Sequence, residues 1–89
     1  MKEGLLHLED YLPFLRIERQ LAENTLVSYK NDLTEYLKSI FTIQQLSSLA
    51  DVERHHIILH LRDLKEKGKS ARTVSRHISS IRSFHQFLL

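Results

Sequence analysis

The last 23 residues, KGKSARTVSRHISSIRSFHQFLL from Lys67 to Leu89, hold both the punctuation and the pattern that decide the fold. Gly68 reads as a helix stop, because glycine accepts the left-handed conformation that ends a helix. Ser70 reads as a helix start, its hydroxyl able to accept from the free N–H groups of a first turn. Apolar residues then recur at helical spacing, at Val74, Ile78, Ile81, Phe84 or His85, and Leu88. The spacing predicts a helix over 70–88. At 100° per residue, Ile78, Ile81, His85 and Leu88 lie within about 40° of Val74, and Arg72, Arg76, Ser79 and Ser83 lie within about 40° of the opposite direction.

Working outward from this segment gives three more helices. One is predicted over 51–67, with Ile57, Leu61 and Leu64 inward and Ser47, Ser48 and Asp51 as candidate caps. Val52 and Leu59 fall on its other side, either as a second packing surface or because the helix is buried twice. Phe41 to Leu49 reads as a connection. Another helix is predicted over 25–40, capped by Asn24, with Leu26, Leu33, Leu37 and Ile40 within about 60° of one another and Tyr29 and Tyr36 on the shoulder. The first is predicted over 5–20 along Leu5, Leu8, Leu12, Leu15 and Arg19, with Pro13 marking either a bend or the first turn of a separate helix. Two glycines and one proline in 89 residues leave little strand or turn signal. The expected architecture is all-α, a compact four-helix bundle forming one domain over 1–89.

Composition excludes several classes. The chain has no cysteine, so disulfides and thiolate metal sites are absent. No apolar run approaches the roughly 18 residues of a membrane span, and Met1-Lys2-Glu3-Gly4 does not open a signal peptide. A soluble cytoplasmic protein without membrane contact is expected. Residues 1–66 hold eight Lys/Arg against eleven Asp/Glu, whereas 67–89 hold Lys67, Lys69, Arg72, Arg76 and Arg82 against no acid. That asymmetry points to a polyanionic partner, or to a solvated basic face balanced in space by an acidic neighbour.

The chemistry of the outer stripe favours the partner. Solvated helix faces commonly mix Glu and Lys at i,i+4, and serine is a poor helix former. Small hydroxyl residues let a backbone approach another molecule, and arginine forks match phosphate oxygens or a guanine edge. The helix N-terminus adds free N–H groups beside Ser70, Thr73, Lys67 and Lys69. Asn24, Thr25 and Ser28 offer a weaker polar set on the second helix, which capping and solvation explain equally well. The reading requires Arg72 and Arg76 to be turned outward and free of carboxylates.

ERQLAENTLVSYKNDLTEYL (Glu18 to Leu37) and KGKSARTVSRHISSIRSFHQFL (Lys67 to Leu88) together resemble the N-terminal core-binding domain of tyrosine recombinases, the phage-integrase superfamily, with the Xer-type members most similar. The match rests on Glu18-Arg19, Asn24-Thr25, Tyr29, Asp32-Leu33, Gly68, Ser70, Thr73, Arg76, Ser79, Arg82, Phe84, Phe87 and Leu88, in order and in spacing. The resemblance implies a SAM-like four-helix bundle forming half of a clamp on double-stranded DNA. It sets helices two and four in or near the major groove. It also implies other recombinase protomers as partners, in a tetramer on DNA, with the isolated domain monomeric. Carried over by position, the candidate DNA contacts are Asn24, Thr25, Ser28 and Lys30 on helix two, and Lys69, Ser70, Arg72, Thr73, Arg76, Ser79 and Arg82 on or beside helix four. Arg82 lies about 80° from the core direction, so fold or interface explains it as readily as DNA.

Catalysis is not expected within these residues. The family's tyrosine nucleophile and its arginine, lysine and histidine partners belong to a larger C-terminal domain, whose linker would begin near Leu89. Tyr11, Tyr29 and Tyr36 have helical phases that favour core or rim. No cofactor is expected, and no metal. His56 and His60 have an i,i+4 spacing that can hold zinc, but Ile57 stands where the helical metalloprotease motif has glutamate. The rival reading is a protein-interaction bundle that docks a partner helix on helix four or on the Val52/Leu59 stripe.

Overall fold

The computed structural model describes residues 2–89, in four α-helices: α1 (Lys2–Glu18), α2 (Glu23–Lys38), α3 (Arg54–Glu66) and α4 (Ala71–Leu88). α2 packs against both α1 and α4, and α4 also meets α3 and α1. The bundle measures 33 × 29 × 18 Å.

α1 continues through Pro13 as one helix, and its buried face is Gly4, Leu8, Tyr11 and Leu15. Leu5 is therefore left exposed, and Arg19 lies past the helix end in solvent, outside the predicted stripe. Gly4 is needed for the approach to α2, because a Cβ there would stand 2.7 Å from Leu37 Cδ2. Leu26, Leu33, Tyr36 and Leu37 of α2 join Leu8, Tyr11 and Leu15 in the core. Ile81 and Phe84 close it from α4, with Phe84 edge-on to Tyr11 at a ring separation of 5.3 Å. Tyr11 and Tyr36 have no exposed surface; the Tyr11 hydroxyl is 2.6 Å from Ser83 Oγ, and that of Tyr36 is 2.6 Å from His85 Nε2.

The segment read as a plain connection is partly helical. α2 continues into a wider π-helical turn, Ser39–Ile43, that buries Ile40, and a 3₁₀ turn follows at Leu49–Asp51. Glu3 of α1 accepts from Ser48 Oγ at 3.3 Å and from the Leu49 N–H at 3.4 Å, tying this connection to the first helix. Ser48 caps the 3₁₀ turn, and α3 starts three residues later than predicted, with Glu53 as N-cap and its N–H donating to His56 Nδ1 at 2.8 Å. α2 starts at Glu23 with Ala22 ahead of it, so Asn24 stands inside the first turn and is not the cap.

Gly68 and Ser70 behave as the sequence predicts. Gly68 has φ +82, its N–H reaches the Lys65 carbonyl at 3.0 Å, and the Lys69 N–H reaches the Leu64 carbonyl at 3.1 Å. These two reversed bonds form a Schellman stop. Two residues on, Ser70 Oγ accepts from the Thr73 N–H at 3.1 Å and opens α4.

Candidate nucleic-acid interface

The orientation of α4 settles which side chains face outward. Its buried residues are Val74, His77, Ser80, Ile81 and Phe84, a face rotated about 60° from the seam that apolar spacing predicts. Ile78 is 38% exposed and is not a core residue. Two contacts cause the rotation: Phe84 fills the space against Tyr11, and His77 is a polar side chain that finds polar partners inside. The outer face is thereby recentred. Arg72, Ser75, Ser79, Arg82 and Gln86 are all exposed along it, with Ser79 and Gln86 near its middle and Arg82 toward the α3 side. Ser83, placed outward by the spacing, is half-buried where the Tyr11 hydroxyl donates to it.

The second difference concerns charge. Arg76 does not stand free of carboxylates. Its Nε donates to Asp32 Oδ2 at 2.7 Å and its Nη2 to Asp32 Oδ1 at 2.9 Å, a bidentate bridge from α4 to α2. Asp32 sits one residue before the core residue Leu33, on the α4 side of α2, and a carboxylate so nearly buried requires a paired cation. Lys67 is also paired, with Asp63 at 3.0 Å. Arg72 is outward as predicted, and Lys69, Arg72 and Arg82 make no ion pair among the described residues.

Behind Arg76 lies a buried polar chain. His77 Nε2 is 3.2 Å from Asp32 Oδ1, and His77 Nδ1 is 3.3 Å from His60 Nε2 of α3. The carboxylate requires His77 to carry its proton on Nε2, so Nδ1 accepts, and His60 donates from Nε2. His60 Nδ1 is left buried without a partner. Burial holds both imidazoles below their usual pKa. His60 is lowered to about 4, with His77 adding to the effect, and His77 is lowered despite the opposing pull of Asp32 and Glu35. The Asp32 bond pushes Arg76 upward.

The other sequence candidates divide. Ser70 is committed to capping and also donates to Thr73 Oγ1 at 3.1 Å; Thr73 is half-buried. Ser79 and Lys69 are exposed, and so is Asn24, while Thr25 and Ser28 are half-buried on α2. Lys30 lies on the far flank of α2, lining a groove with Leu12 and Pro13 of α1, and does not join the α4 surface. His56 is spent on its helix cap and His60 points into the core, so the i,i+4 pair does not converge on a common point. Sequence reasoning passed over Asp32 as a site residue. Its signal was an acid beside a core leucine on one helix and an Arg-His pair on another.

The profile of the phage integrase N-terminal SAM-like domain matches residues 8–89, and the chain belongs to this family. Among individual relatives, it is 52% identical over 82 residues to the tyrosine recombinase XerD of Oceanobacillus iheyensis. It is 36% identical over 83 residues to that of Halalkalibacterium halodurans and 40% over 82 residues to that of Staphylococcus haemolyticus. Each match takes in 92–93% of this chain and 28% of the relative's length. No solved structure matches it.

Proposed function

We propose that the chain is a DNA-binding unit of a site-specific tyrosine recombinase. It forms half of a clamp on duplex DNA, with α2 and α4 in or near the major groove. The relatives' longer chains support a parent protein whose remaining part breaks and rejoins DNA strands. Protomers of that parent would assemble together on DNA in the cytoplasm. The observation that carries the reading is the outer face of α4 and the turn before it, where Lys69, Arg72 and Arg82 have no carboxylate partner among the described residues and Ser75 and Ser79 lie between the arginines. Serines leave room for close approach, and unpaired cations exchange counterions for phosphates.

Titration of a mixed-sequence duplex of about 20 base pairs at several salt concentrations tests this. Three neutralised phosphates give a slope of log K against log salt near −2.7, or about a 40-fold loss between 50 and 200 mM. Arg72→Ala and Arg82→Ala should each flatten that slope by about 0.9. A salt-independent affinity, or none at low salt, refutes the proposal. One observation favours the interaction-module reading: Ile57, Leu61, Ile78 and Ile81 line an apolar groove between α3 and α4, with Arg82 at its edge. Amide shifts confined to α3 during the duplex titration would support that reading instead.

A further inference from the structure

We infer that Asp32 is a positioning residue, holding Arg76 so that the unused edge of its guanidinium is presented to paired acceptors on duplex DNA. This rests on the DNA-binding reading above and adds a role to a carboxylate that otherwise counts against it.

The bridge uses only the Nε and Nη2 side of the fork. Of the five guanidinium N–H donors, two go to Asp32 and three remain, two of them side by side on the Nη1–Nη2 edge. The Arg76 side chain is 41% exposed whereas that of Asp32 is 4% exposed, so the carboxylate is an internal anchor and the free edge belongs to the surface. Two phosphate oxygens, or the O6 and N7 of guanine, match such an edge. A free arginine loses much side-chain entropy on being fixed, and one already held in place loses less.

Asp32 is itself fixed. His77 donates to its Oδ1 from within the core, and His60 donates to His77 in turn. The charged and titratable groups facing this chain are Arg76 and Lys69 from the α4 side, Tyr29, Asp32, Glu35 and Tyr36 from α2, and Asp63 and Lys67 at the end of α3. Three helices therefore determine the direction of one guanidinium. Arg76→Ala is a poor probe of this, because it leaves the Asp32 charge unpaired inside the protein and attacks the fold.

Asp32→Asn separates the possibilities by sign. It removes a negative charge beside a DNA-facing surface, so electrostatics alone predicts tighter binding. Loss of the two-pronged hold predicts weaker binding, by about fivefold or more at 50 mM salt, with the salt slope unchanged or steeper. Fluorescence anisotropy on the same mixed-sequence duplex reads this, with a thermal melt confirming that the variant is folded. Equal or tighter binding by D32N, where wild type binds, overturns the inference and leaves the DNA-binding reading standing. A wild type that does not bind removes both.

A second measurement needs no substitution and decides the matter should D32N fail to fold. In ¹⁵N spectra of the wild type, the Arg76 Nε–H should give a protected signal that persists when duplex is added, while the Nη signals change. An Nε–H signal that is lost to exchange on binding would mean that Arg76 leaves Asp32, and would overturn the inference. Repeating the anisotropy with 7-deazaguanine in place of guanine distinguishes the two acceptors. The D32N deficit disappears if the edge reads guanine N7 and persists if it meets phosphate.

Discussion

Phe84 has no solvent exposure and meets Tyr11 edge-on, so truncating it opens a cavity between α4 and α1. Phe84→Ala should cost about 3–5 kcal/mol of unfolding free energy, as buried aromatics generally do. Ile78 loses less on truncation because more than a third of its surface is already in water, and Ile78→Ala should cost about 1 kcal/mol or less. Urea denaturation of the two variants checks the ordering, and a larger loss for Ile78 would place the apolar seam back where the spacing put it. The residue-level errors share a cause. Helical periodicity ranks positions by hydrophobicity, so it seats Ile78 inside and passes over His77 and Ser80. His77 is nevertheless buried, because a carboxylate on α2 and an imidazole on α3 satisfy both of its nitrogens. Such partners lie 45 and 17 residues away in sequence, beyond the reach of any local pattern.

At the level of the helices, what was legible is what is encoded locally. The end of α3 and the start of α4 are fixed by Gly68 and Ser70 themselves, and both act as the sequence predicts. No heavy atom lies within 4 Å of a Cβ added at Gly68, so Gly68→Ala meets no clash and pays only for its φ of +82. The expected loss is about 1 kcal/mol, and Ser70→Ala should lose a similar amount through its cap. In a domain of this size each should lower Tm by roughly 4–8 °C in calorimetry. A Gly68→Ala variant with an unchanged Tm would show that the turn has another conformation. The start of α3 and the π-helical turn after α2 were not legible, because neither has a strong local signal. Glu53 is an unusual cap, and the π turn depends on burying Ile40 against the core. The candidate interface was half legible. Arg72 and Ser79 face outward as their spacing suggested and Arg82, left open by the spacing, is exposed as well, whereas the pairing of Arg76 depends on how α2 lies against α4.

Across the whole bundle, three imidazoles join the helices: His60 from α3, and His77 and His85 from α4, with partners on α2 for the last two. Burial lowers the pKa of all three below the ordinary histidine value, His60 to about 4. The unfolded chain takes up these protons near pH 6.5, while the folded chain resists until lower pH. Between those limits the unfolded state binds more protons, so acid favours unfolding. The stability these neutral histidines permit is complete above about pH 6.5 and is lost as pH falls toward about 4, by a few kcal/mol in all, most of it from His60. Tm measured from pH 7.5 down to 4.5 should therefore fall most steeply below pH 6.5, and His60→Gln should flatten that fall because it removes the group with the lowest pKa. A wild-type Tm that stays level over this interval would mean that the imidazoles protonate in place, and that the links from His60 through His77 to Asp32 are open to water.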